Sequence, residues 1–121
     1  MHSKETDTYY DNYLREDVKN YFPDFESLFD DDDGLYLIFS DLGDFIIENL
    51  SRDEFIATVA DFIKIALNKG QGKTEDLIVI QIFHKVYASV DNSNRFRSFL
   101  KGRELEIFDG YLEHYLKHYN R

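Results

Sequence analysis

The sequence has no cysteine, one proline and six glycines among 121 residues. Without cysteine it forms neither disulfides nor thiolate metal sites, a composition compatible with a reducing cytoplasm. Scarce proline and glycine favour long regular elements over a turn-rich β architecture. Every apolar run falls short of the ~20 residues needed to span a bilayer, so no membrane segment is expected. The stretch Met1-His2-Ser3-Lys4-Glu5-Thr6-Asp7 lacks an apolar core, so no signal peptide is expected either. Basic residues are scarce in one half only. Residues 1–61 carry 17 acidic and 4 basic side chains, net −13, while residues 62–121 carry 7 and 10, net +3. An acidic half repels phosphate and disfavours nucleic acid as a partner. It favours a basic protein, for which charge raises association rate and specificity. The same charge also keeps a small protein in solution.

What is present is a dense supply of core residues, 43% hydrophobic and 17% aromatic. The length suits one domain spanning residues 1–121. Tyr10, Tyr13, Leu14, Val18 and Tyr21 recur at helical steps and predict a helix over 8–22, capped by Asp7 and stopped by Pro23. Pro23 to Phe29 reads as a second, short helix. Residues 35–39 could be a strand by composition. The longer stripe Leu35, Ile38, Phe39, Leu42, Phe45, Ile46 and Leu50 selects a helix instead. Ser51 and Glu54 form a capping-box pattern, followed by a helix through Leu67 that Gly70 or Gly72 ends. Thr74 reads as the cap of the next helix, which is apolar nearly all round from Leu77 to Phe83 and therefore central. Asp91 to Asn94 reads as a polar turn, Arg95 to Leu100 as a short helix or turn, and Arg103 to Tyr119 as the last helix. The fold class is all-α, about five or six helices around a central apolar helix over residues 74–91.

The chain turns on Asp30-Asp31-Asp32-Asp33-Gly34, set directly before Leu35-Tyr36-Leu37-Ile38-Phe39. Adjacent carboxylates repel and must face water or a positive partner, while the run behind them must be buried. With residues 35–50 helical, Asp41, Asp44 and Glu48 share the face opposite the apolar stripe. The candidate partner-binding surface is then Asp24, Glu26, Asp30, Asp31, Asp32, Asp33, Asp41, Asp44 and Glu48, with Tyr36 as an aromatic anchor. Tyrosine suits this place, since its ring buries while its hydroxyl stays wet.

Catalytic and metal chemistry find no pattern here. An EF-hand with Gly34 at its sixth position would place Phe29 first and Ser40 twelfth, and both fail as ligands. Gly70-Gln71-Gly72-Lys73-Thr74 resembles the end of a phosphate loop, but Leu67 stands where the first glycine belongs and a helix where the strand belongs. His114 and His118 lie four apart on the last helix without an H-E-x-x-H order, and read as surface histidines. His84 reads as a partly buried, hydrogen-bonded residue. No serine sits in a nucleophile elbow. Arg95, Arg97, Lys101 and Arg103 cluster with Phe96 and Phe99, which in so acidic a chain read as counter-charges to the N-terminal half or as a solvated face. No catalytic residue, metal or cofactor is assigned.

A small, cysteine-free, acidic helical chain with its negative charge gathered around Asp30 to Asp33, Asp41, Asp44 and Glu48 resembles the immunity proteins of bacterial toxin systems, including contact-dependent inhibition. The resemblance lies in size and character over the whole chain. It implies a cytoplasmic, non-enzymatic protein that neutralises a cognate toxin, often a basic nuclease, by covering its active site or binding beside it. The alternative is a helical adaptor or regulatory protein that binds another basic protein. The oligomeric state stays open.

Overall fold

Helix formation starts at the first carboxylate that precedes an apolar stripe. In a computed structural model, which describes residues 6–29 and 33–119, the Tyr10 amide donates to Asp7 Oδ1 at 3.1 Å, and Asp7 caps α1 (Thr8–Asn12) as expected. The chain kinks at Tyr13 and resumes as α2 (Leu14–Tyr21), so the helix expected over 8–22 is two short ones. Phe22 closes α2 one residue before Pro23.

Residues 23–29 form a loop, not the short helix expected there. The reason is a carboxylate on the next element. The Ser27 hydroxyl and the Leu28 amide both donate to Asp41 Oδ2, at 2.8 and 2.7 Å. A helix through these residues would have spent the Leu28 amide on itself. Phe25 anchors the same loop, its ring 5.3 Å from that of Phe45.

The stretch beginning at Leu35 is helical: α3 spans Leu35–Glu48. Gly34 leads into it at φ +89°, a backbone region that glycine enters without a Cβ clash. Leu35, Ile38, Phe39, Leu42 and Ile46 are its buried stripe. α4 (Asp53–Lys69) follows, without the expected capping box: Arg52 holds the cap position and makes no side-chain cap bond. Asp53 and Glu54 in the first turn complement the helix dipole instead. Gly70 ends α4, and a Cβ there would meet the Thr74 Cβ at 2.4 Å.

α5 (Gly72–Ile78), a π-helical turn (Val79–Phe83) and α6 (His84–Tyr87) run on without a break as the central rod. The expected cap, Thr74, lies inside the first turn and is fully buried. The capping acceptor comes from the other end of the chain. Asp7 Oδ2 accepts from the amides of Gln71 and Thr74 and from the Thr74 hydroxyl, at 3.0, 2.9 and 2.9 Å. α3 lies along the π turn at Gly43, where a Cβ would stand 2.0 Å from the Gln81 carbonyl oxygen. Two backbones therefore meet where no side chain fits.

α7 (Val90–Arg97) covers the expected polar turn at Asp91–Asn94. Ser89 converts that stretch to helix by accepting from the Asn92 amide at 3.2 Å. α8 (Gly102–Tyr119) closes the fold over α4 and α6. The core holds two aromatic groups. Phe62 packs against Tyr21, Phe22 and Phe39 between α2, α3 and α4. Phe83 packs against Tyr87, Phe96 and Phe108 between the rod, α7 and α8. Among the described residues every regular element is helical, and no helix is long and apolar enough to cross a membrane.

Candidate functional site

The acidic surface expected from the sequence is part open and part consumed by the fold. Asp30, Asp31 and Asp32 lie outside the described residues. Asp24 and Glu26 are exposed on the 23–29 loop, Asp33 is exposed ahead of Gly34, and Glu48 is exposed at the end of α3. Asp41 and Asp44 do share the expected side of α3, but both have partners within the molecule. Asp41 holds the loop through Ser27 and Leu28. Asp44 pairs with Lys85, whose Nζ is 3.0 Å from Oδ1 and 2.6 Å from the Ser40 carbonyl oxygen. Lys85 thus neutralises one of the acids while tying α6 to α3. It is the sole Lys or Arg between residues 74 and 91, a signal legible in the sequence.

α3, the rod and the 23–29 loop also expose apolar side chains. Tyr36 is 54% exposed, and Leu37 stands next to it, also exposed. The Tyr36 carbonyl accepts from Gln81 Nε2 at 3.3 Å, which fixes the start of α3 against the rod. Ile80, one residue from Gln81, is exposed as well, and Leu28 on the loop is 92% exposed. Sequence reasoning missed Leu28, Leu37 and Ile80; Ile80 in particular sits in a run whose neighbours Ile78, Val79, Gln81 and Ile82 are buried.

The other sequence features resolve as structure. Arg95 binds Asp53 and the Leu50 carbonyl. Arg97 forms a two-bond pair with Asp109 at 2.8 and 2.7 Å. Arg103 donates to the Leu67 carbonyl at 2.6 Å and lies 3.7 Å from Glu75. Three of the four clustered basic residues therefore face acids of this chain, only Arg95 pairing into the acidic half. His114 and His118 are exposed with ring centroids 4.2 Å apart, and no third ligand joins them among the described residues. His84 lies half-buried against Tyr87 and Tyr115. Burial holds it below its usual range, and the nearby His114 adds to the effect. Residues 70–74 join α4 to α5 around the Asp7 carboxylate.

The electrostatics of Asp7 follow from that geometry. Burial pushes its carboxyl up, but four hydrogen bonds to the anionic form outweigh burial and hold it below the ordinary carboxylate range. Tyr87 is the converse case. Its ring is fully buried, its hydroxyl donates to the Phe108 carbonyl at 2.6 Å, and burial drives its ionisation far above the usual tyrosine range. Both groups hold elements together, and neither faces an open cavity. Comparison of the chain with protein-family models, curated proteins and solved structures gave no match.

Proposed function

We propose that this chain is a non-enzymatic inhibitor of a basic protein, acting as an immunity protein that neutralises a cognate toxin domain, most naturally a nuclease. The observation that carries the reading is the separation of charge: net −13 over residues 1–61, with Asp24, Glu26, Asp33 and Glu48 exposed and the apolar side chains Tyr36 and Leu37 exposed on α3. A surface that exposes both acids and apolar side chains suits a basic protein, since charge steers the encounter and the apolar side chains supply affinity once water is expelled. Such a surface also occupies a phosphate-binding cleft in place of the substrate. The role needs no cofactor and is exercised in the cytoplasm.

Affinity capture with the full chain from its source cells identifies the partner. Co-expression of that partner with and without the chain then tests neutralisation. The expected result is a basic protein that arrests growth alone and is harmless with the chain. Glu26→Lys, Asp33→Lys and Glu48→Lys together should slow association most strongly at low salt. A captured protein that is acidic, or harmless on its own, would refute the reading.

A further inference from the structure

A cleft of about 330 Å³ opens between the 23–29 loop, the end of α3 and the start of α4. Its floor is aromatic. Phe45 and Phe55 are half-buried, and their rings meet edge to face 5.5 Å apart. Phe22 closes the inner side, 5.8 Å from Phe55. Its rim carries two exposed carboxylates, Asp24 from the loop and Glu54 from the first turn of α4. A flat cation suits an aromatic floor under an acidic rim, because the ring face attracts it and carboxylates bind its planar N–H groups in pairs. The fold already places such a group there. Arg52 holds its guanidinium 5.6 Å from the centre of the Phe55 ring and donates to Asn49 Oδ1 at 3.2 Å.

We infer that this cleft receives an arginine side chain of the basic partner, seated over Phe45 and Phe55 between Asp24 and Glu54, with Arg52 swinging aside. The assignment rests on the proposed inhibitor role and names the anchor of the interface. Arginine fits better than lysine, whose compact ammonium is strongly hydrated and has no planar face to lay on the rings or fork to pair with a carboxylate.

The probe is an acetylated tetra-arginine amide peptide titrated into the isotope-labelled full chain and followed by NMR, with tetra-lysine of equal charge beside it. The expected result is saturable shifts at Phe45, Asn49, Phe55 and Thr58, with arginine binding several-fold tighter than lysine. Asp24→Asn with Glu54→Gln, both at exposed positions that leave the core intact, should weaken binding about tenfold. Arg52→Ala removes the resident cation and should tighten binding. Lys64→Ala, which removes the same charge from an exposed position ten residues beyond Glu54 on α4, should change it little. Equal affinity for the two peptides, unmoved cleft residues, or equal effects of Arg52→Ala and Lys64→Ala would overturn the assignment. Shifts confined to residues 33–41, which do not line the cleft, would overturn the cleft while leaving the inhibitor role intact, which stands or falls by the co-expression assay.

Discussion

Replacing Asp7 should damage two distant helices at once. Its carboxylate caps α1 through the Tyr10 amide and caps α5 through the Gln71 and Thr74 amides, with a further bond from the Thr74 hydroxyl. Loss of one N-cap costs about 1 kcal/mol, so two caps cost about 2. Thr74 is fully buried, and stranding its hydroxyl, beyond the capped amide, adds about 1–3 kcal/mol. Asp7→Ala should therefore cost about 3–5 kcal/mol, a large share of the 5–15 kcal/mol typical of a domain. Asp7→Asn keeps one acceptor oxygen, so one helix keeps its cap, and the cost should be about half. Urea unfolding of the full chain measures both. Hydrogen exchange adds a sharper readout: the amides of Tyr10, Gln71 and Thr74 should lose protection together in Asp7→Ala. The acid limb gives a third. Asp7 has a lower carboxyl pKa in the folded chain than in the unfolded one, so its contribution is fully present above about pH 4 and is lost as pH falls through the depressed folded value. Asp7→Asn should flatten that part of the profile. A cost below about 1 kcal/mol for Asp7→Ala, or exchange that rises at α1 alone, would refute the double cap.

Four further outcomes are expected. Gly43→Ala places a Cβ 2.0 Å from the Gln81 carbonyl oxygen, where only backbone can give way, and should cost several kcal/mol, by the order of about 3. The matched change Gly110→Ala, in a helix and with nothing within 4 Å of the new Cβ, should stabilise by about 0.5–1 kcal/mol, and thermal melting of the pair decides it. Tyr87→Phe removes the 2.6 Å bond to the Phe108 carbonyl while keeping the ring, and should cost about 1 kcal/mol in urea unfolding. His84 is held low by burial and by His114, so the folded chain takes up that proton at lower pH than the unfolded chain. Its contribution is full above about pH 6.5 and declines as pH falls toward the lowered folded value. His84→Gln should remove this decline, and parallel stability–pH curves for the two proteins would refute it.

The helices were legible wherever one face alone carried the apolar residues. α3 is the clear case: Leu35, Ile38, Phe39, Leu42 and Ile46 repeat at helical steps and are the buried stripe. The π turn was not legible, because residues 77–83 are apolar nearly all round, and an unbroken apolar run carries no period from which to read how tightly it is wound. The interruption is felt only in three dimensions, at the Gly43 approach. The Asp7 cap of α5 was equally invisible. The sequence offers Thr74 as the local candidate, and a carboxylate 64 residues before Gln71 becomes the better acceptor only after α1 and α5 have docked. The 23–29 loop failed for the same reason, with Asp41 claiming its donors from another element.

The acidic face shows what a shared helical side does and does not imply. That Asp41, Asp44 and Glu48 lie on one side of α3 is a statement about angles, and it held. Availability depends on neighbours, and two of the three are taken, by the Ser27–Leu28 loop and by Lys85. These two acids therefore build the surface more than they present it: Asp41 fixes the loop that carries Asp24 and Glu26, and Asp44 locks α3 to the rod. Asp44 itself stays exposed beside Lys85, and the other exposed carboxylates of this region are Asp24, Glu26, Asp33 and Glu48, with Glu54 at the head of α4. Asp24 and Glu54 border half-buried phenylalanines, and α3 exposes Tyr36 and Leu37. A purely charged surface would lose its partner steadily as salt rises. With exposed aromatic and aliphatic side chains as well as charge, binding should keep much of its strength at high salt while association slows, because the charges act on the encounter and the apolar contacts act on dissociation.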